Sequence, residues 1–224
     1  MKAVVLLSGG LDSATCLARA VEKYGNENVV ALNAYYGQKH AKEMECAENI
    51  ARHYGVRYLK MDLKEVMKYS DCTLLEGNGA IDKRSYAEQM EDSNTVSTYV
   101  PFRNGVLLSV AAAIALSVGA NEVWYGAHQD DAAGSVYPDC SKKFADYMNE
   151  AIYEGSGRRV KLCAPFIDIN KAGVVKEGLR LSVPYEMTWS CYEGGDKPCG
   201  RCGTCIDRIK AFKANGKEDP LCYE

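Results

Sequence analysis

The chain has 224 residues, 47% apolar and 25% charged, with a formal charge of −3, a balance that suits one soluble α/β unit with a sizeable core. The charge argues against a broad basic surface for nucleic acid. No apolar run reaches the roughly 18–20 residues of a membrane span, and the N-terminal segment lacks the pattern of a signal peptide. The expectation is a cytoplasmic protein with neither nucleic-acid nor membrane partners.

In chain order, residues 2–7 read as a strand and residues 11–24 as a helix, with Leu11, Ala14, Leu17, Ala18 and Val21 on one face. Residues 28–34 form a second strand. Residues 41–54 form a helix with Met44, Ala47, Ile50 and Ala51 on one side, stopped by Gly55, and residues 57–63 a third strand. This βαβαβ alternation predicts a parallel, twisted sheet with helices on both faces and right-handed crossovers. Residues 64–98 are polar, glycine-containing and weakly periodic, and read as a long loop or lid over a site, or as a surface insertion. Residues 103–118 are rich in Ala, Val and Leu and predict a well-buried helix. A strand at 122–126, a looped stretch at 127–140, a helix at 142–153, a strand at 160–164 and a helix at 171–180 follow. Four cysteines dominate the tail from Thr188, which ends in a short helix at 205–214. The division expected is an α/β domain over 1–187 and a metal-bearing segment over 188–224 packed on it.

The first strand runs into Ser8-Gly9-Gly10-Leu11-Asp12-Ser13 at a strand-to-helix turn. Two glycines permit positive φ and close backbone approach. Free N–H groups and the helix dipole then point at the loop, a combination that binds phosphate, and the hydroxyls of Ser8 and Ser13 add donors. Asp12 does not suit a bare phosphate cradle, but it suits a Mg²⁺ ion bridging it to nucleotide phosphates. The loop is neither a Walker A motif nor a Rossmann fingerprint. The alternative is a glycine turn with Asp12 and Ser13 capping a helix.

Of ten cysteines, four stand at Cys191, Cys199, Cys202 and Cys205, a C-x7-C-x2-C-x2-C spacing with Gly200, Gly203 and Pro198 shaping its turns. Four thiolates within 15 residues suit a closed tetrahedral site, for which zinc is the first assignment and an iron–sulfur cluster the alternative. The metal would supply folding energy where periodicity is weakest. Elsewhere, Lys39, His40 and Glu43 follow the second strand, where a βα loop binds ligands; Glu43 at a helix start also has a plain dipole explanation. Arg103 and Asn104 enter the third long helix, facing the same sheet edge as Ser8. Asp130, Asp131 and Asp139, with Tyr137 and Pro138, form a candidate binding loop. Asp168 reads as a helix N-cap, and Lys171 in a first turn opposes the dipole, which suggests a task such as meeting phosphate.

The S-G-G-x-D-S run resembles the signature of the PP-loop ATP pyrophosphatases, whose members adenylate a carbonyl or carboxylate oxygen while the loop holds the departing pyrophosphate. With "YYGQKHAKE", "TYVPFRN", "YPDC", "PFIDINK" and "TWSCYEGGDKPCGRCGTC", nearly the whole chain is similar to the 7-cyano-7-deazaguanine synthase family of queuosine biosynthesis. That resemblance implies an adenine-nucleotide-hydrolase-like fold, ATP and Mg²⁺, one structural zinc and the conversion of 7-carboxy-7-deazaguanine and ammonia to the nitrile. It implies that Ser8, Gly9, Gly10, Leu11, Asp12 and Ser13 hold the nucleotide, and that Asp12, Ser13, Lys171 and Arg103 serve the chemistry. His40, Asp131, Tyr137 and Asp139 are assigned to the substrate. Asp139 is favoured, with Asp131 second, as the carboxylate that accepts guanine's paired N–H donors. A homodimer is implied too, consistent with the Ala- and Val-rich faces of 103–118. Two rivals are a tRNA-thiolating PP-loop enzyme, whose cysteines would hold an iron–sulfur cluster, and a zinc-bearing nucleotide sensor without turnover.

Overall fold

The first six residues set the sheet. In the computed structural model, which describes residues 1–39, 42–79, 96–130, 137–193 and 195–224, β1 (Ala3–Leu6) is a short buried strand. It pairs in parallel with β2 (Val29–Tyr35) on one side and β4 (Glu122–Trp124) on the other. The outer strands are β3 (Arg57–Asp62) beside β2 and β5 (Lys161–Cys163) beside β4, both parallel. The order β3-β2-β1-β4-β5 reverses direction beside β1. It therefore opens a crevice at the C-terminal ends of β1 and β4, where such sheets bind ligands.

Alternation along β1 feeds two cores. Ala3 and Val5 pack with α1 (Leu11–Tyr24), α2 (Lys42–His53), α6 (Lys171–Arg180) and α7 (Gly203–Ala214). Val4 packs with α4 (Arg103–Val118) and α5 (Lys142–Gly155) on the opposite face. A one-turn helix, α3 (Lys64–Met67), follows β3. The expected helices thus lie on both faces of a parallel sheet. Ala211 and Phe212 of α7 sit in the same core as α1, so the tail's helix shares the main core.

Two expectations need correction. Residues 103–118 are buried on one side only, through Gly105, Leu108, Ala111, Ala112 and Ala115, while Ser109, Ala113 and Ser117 are exposed. Small side chains keep a helix apolar in composition without placing it inside. The N-cap of α6 is Asn170, whose side chain accepts the Gly173 N–H at 2.9 Å. Asp168 instead lies exposed and pairs with Lys142 at 2.9 Å. Both residue types cap helices, and the chain path chooses the nearer one. The lid expected within 64–98 lies in part, over 80–95, outside the described residues; its flanks contribute Leu74 and Thr98 to the cleft below.

Candidate active site

A cleft of about 300 Å³ opens at the crevice. Its floor is the turn between β1 and α1. Gly9 has φ 96°, and a Cβ there would stand 2.1 Å from the Glu43 carbonyl oxygen, so conformation and the close approach of α2 both require glycine. The N-cap of α1 is Gly10, with no side-chain cap. The alternative reading, a turn capped by Asp12 and Ser13, is therefore not what forms. The N–H groups of Leu11, Asp12 and Ser13 are the orphan donors of a helix start, and these three residues line the cleft. The Ser13 hydroxyl donates to the Gly10 carbonyl and accepts the Ser8 N–H, with the two serine hydroxyls 3.0 Å apart. These bonds hold the loop open as a nest of donors.

The Asp12 carboxylate stands between two potential cations. Lys171 Nζ is 3.5 Å from one oxygen and His128 Nε2 is 3.6 Å from the other. Oδ1 is buried without a hydrogen-bond donor, a carboxylate oxygen with spare capacity of the kind a hard cation uses. A Cβ on Gly126, two residues past β4, would lie 2.8 Å from the Asp12 carbonyl oxygen, so the chain can pass this close to the first turn of α1 only at glycine. Lys171, placed by the start of α6, is held there by its N–H bond to Asp130 Oδ2 at 2.8 Å. Nothing local in the sequence pairs His128 with Asp12.

The opposite wall carries a second cation. Arg103 opens α4 and lines the cleft. Its guanidinium donates to the Tyr36 hydroxyl at 3.1 Å and lies 5.5 Å from that ring's centre. Among the described residues no carboxylate forms an ion pair with it. Glu43, in the first turn of α2, faces the same cleft. Burial pushes its carboxyl up to about 7, against the opposing pull of Arg103. Tyr137 lines the cleft with its hydroxyl 2.8 Å from that of Thr98.

Asp139, the carboxylate favoured for the base's paired N–H donors, is not among the residues lining the cleft. It is 5% exposed, and its Oδ2 accepts the Asn104 N–H at 2.9 Å. It caps the start of α4, which has no side-chain cap of its own, so it braces the helix that presents Arg103. Lys39 donates to the carbonyl oxygens of Thr73, Asn78 and Gly79 at 2.7–2.8 Å and fixes the wall that includes Leu74. His40 and Asp131, both assigned to the substrate, lie outside the described residues.

Residues flanking the cysteine quartet form the cleft's third side. The ligand atoms of Cys191, Cys199, Cys202 and Cys205 lie within 4.8 Å of one another. A tetrahedral ion with metal–sulfur distances near 2.3 Å needs sulfurs about 3.8 Å apart, so the set fits one. Gly200 makes the turn at φ 70°, whereas Gly203 opens α7, whose N-cap is Cys202. The hydrogen bond between Cys202 and Cys205 lowers the pKa of Cys202 and raises that of Cys205, so the pair shares a proton that metal binding would release. Trp189, just before the quartet, donates its N–H to the Gly9 carbonyl at 3.0 Å and its indole N–H to the Cys191 carbonyl at 3.0 Å. Trp189, Ser190, Tyr192 and Thr204 all line the cleft. Sequence spacing found the sulfurs but gave no sign that they back the glycine loop.

Residues 2–216 match the family model described as "Queuosine biosynthesis protein QueC". The chain belongs to this family. A curated 7-cyano-7-deazaguanine synthase of Archaeoglobus fulgidus is 47% identical over 99% of this chain and 90% of its own length. One of Caldicellulosiruptor bescii is 43% identical over 100% of this chain and 98% of its own. Among solved structures, a U34-tRNA thiolase of Methanococcus maripaludis with its [4Fe-4S] cluster superposes with a TM-score of 0.54 at 16% identity. It is covered over 66% of its length by 96% of this chain. An NMN synthetase of Francisella tularensis gives 0.53 at 15% identity, with 97% of this chain and 78% of that one covered. These two share the fold of this QueC-family chain.

Proposed function

We propose that this QueC-family chain is a carbon–nitrogen ligase that converts 7-carboxy-7-deazaguanine and ammonia to 7-cyano-7-deazaguanine with ATP. The supporting observation is one cleft with an anion-receiving group at each end: the uncapped start of α1 with Lys171 on one side, and on the other Arg103, which has no carboxylate partner among the described residues. In this reading the Ser8–Ser13 loop and Lys171 receive the ATP phosphates. Asp12 would hold Mg²⁺, which neutralises phosphate charge. Arg103 receives the substrate carboxylate, Tyr137 stacks on the base, and His40 and Asp131 complete the substrate site. With Asp139 committed to α4, Asp131 is the carboxylate proposed to accept the base's paired N–H donors. Adenylating the carboxylate turns a poor oxygen leaving group into a good one, and the loop's donors stabilise the pyrophosphate charge.

The four cysteines would hold one zinc as a closed structural site. A reduced, ATP-supplied compartment, the cytoplasm, fits that chemistry. No helix among the described residues is long and apolar enough to cross a membrane. Incubation with the carboxylate, ATP, Mg²⁺ and ammonium should give the nitrile by mass spectrometry, with two ATP consumed per nitrile. ATP binding without product would favour a nucleotide sensor, and brown protein containing iron and sulfide would favour a thiolating enzyme.

We also propose a homodimer. Ser109, Ala113 and Ser117 leave the exposed side of α4 small and weakly polar, and a symmetric pair is the commonest homo-oligomer. Light scattering should return twice the 24.6 kDa chain mass; a monomer mass at high concentration contradicts the assignment.

A further inference from the structure

The nitrogen chemistry of the proposed reaction releases protons, and none of the described residues assigned so far is left to accept them. Asp12 is assigned to Mg²⁺ in that reading, and Arg103 cannot accept a proton. We infer that Glu43 is the proton acceptor of the carbon–nitrogen steps. The inference rests on the proposed function above and deepens it.

Three observations converge on Glu43. Glu43 lines the cleft from the first turn of α2. Among the described residues no hydrogen bond or ion pair engages its carboxyl. Its backbone is pinned, because the Glu43 carbonyl is packed against Gly9 so closely that no Cβ fits between them. The acid is therefore fixed beside the phosphate loop while its side chain stays available. The ionisable groups around it are Arg103 from α4, Tyr36 from the end of β2 and Cys46 on its own helix. The balance of burial and the Arg103 charge holds it at about 7, where a base is both available and strong enough to act near neutral pH.

The proton balance is explicit. In the amide-forming step, ammonia's lone pair forms the C–N bond. The C–O bond breaks with its electrons leaving on AMP, and one N–H proton passes to Glu43. In the nitrile-forming step the amide oxygen has displaced pyrophosphate from a second ATP. The nitrogen then loses two protons in turn to Glu43, which passes each to solvent at the cleft mouth. Electrons of the first N–H bond become the nitrogen lone pair. Those of the second form the third C–N bond as the C–O bond breaks toward AMP. Glu43 touches only the nitrogen, so adenylation of the carboxylate does not need it.

The test separates the half-reactions. Carboxylate-dependent exchange of labelled pyrophosphate into ATP reports adenylation, and mass detection reports amide and nitrile. Glu43→Gln should keep exchange within about threefold and lose nitrile formation by about a hundredfold or more, in line with general-base contributions. Wild-type nitrile formation should fall as pH drops through about 7, because the base is then protonated. Glu43→Gln should lack that inflection and Glu43→Asp should retain it at a reduced rate. Nitrile formation by Glu43→Gln within threefold of wild type overturns the inference, as does equal loss of exchange and nitrile. Absence of exchange in the wild-type protein overturns the functional reading itself, and the inference with it.

Discussion

Asp12→Asn should fold normally and lose about a hundredfold or more of its ATP-dependent turnover. Neither neighbour of the Asp12 carboxylate comes within hydrogen-bonding distance: Lys171 stands at 3.5 Å and His128 at 3.6 Å. Its buried Oδ1 has no donor. A carboxylate kept so loosely in a cleft is poorly explained as scaffolding and well explained as a cation ligand at a phosphate loop. Asn keeps the shape and one oxygen but removes the charge. Loss of one preorganised electrostatic group typically costs about 100–1,000-fold. Ser8→Ala removes one neutral donor among several and should cost about 1 kcal/mol, roughly fivefold. Lys171→Ala alone and together with Asp12→Asn supply the control. If Asp12 only orients Lys171, the double variant will match the lysine variant. Initial rates across a Mg²⁺ titration decide the matter, and near-normal turnover of Asp12→Asn at limiting Mg²⁺ contradicts the assignment.

Removing the metal should lower the melting temperature by about 10 °C and change the fluorescence of Trp189. A ligand present at a thousand times its dissociation constant stabilises a fold by about 4 kcal/mol. For a domain of this size each kcal/mol is worth about 2–4 °C. The fluorescence change follows from the indole bond to the Cys191 carbonyl and the backbone bond to Gly9. Once the sulfurs separate, both bonds lose their anchor. Cys202→Ser should reproduce both effects and fall below one zinc per chain by elemental analysis. Trp124, the other tryptophan, lies in the sheet and is a steady background. A variant lacking all four thiols that keeps its metal would remove the quartet from consideration.

Local signals located most of the scaffold. The helices over 11–24, 103–118 and 171–180 have the bounds their apolar spacing and stop residues predict. Strand ends were less legible. The last strand before residue 127 was expected to reach Gly126 but stops at Trp124, because the chain there turns to meet Asp12. The same reason hides the site's wiring. Asp139 caps a helix that begins 36 residues earlier and so braces Arg103, which no spacing rule reports. Glu43 carries an ordinary helix-start signature, and only its enclosure with Arg103 and Tyr36 sets it apart. By contrast, the thiols could be found from spacing because all four ligands fall within one short segment.

The hydroxyls of Thr15 and Tyr185 meet at 2.8 Å across 170 residues of sequence, and the bond from Trp189 to Gly9 spans a similar stretch. A nascent chain leaving the ribosome at about 5–20 residues per second must therefore keep its glycine loop unbacked for about 9–36 s. Throughout most of that interval β1 also lacks β4 as a neighbour, so the central strand of the finished sheet is for a time an open edge, a template for misassociation. Slower growth of the polypeptide lengthens that exposure, and a chaperone that shields the first 35 residues shortens it. The glycine loop is thus among the first parts of this protein to be made and among the last to be completed.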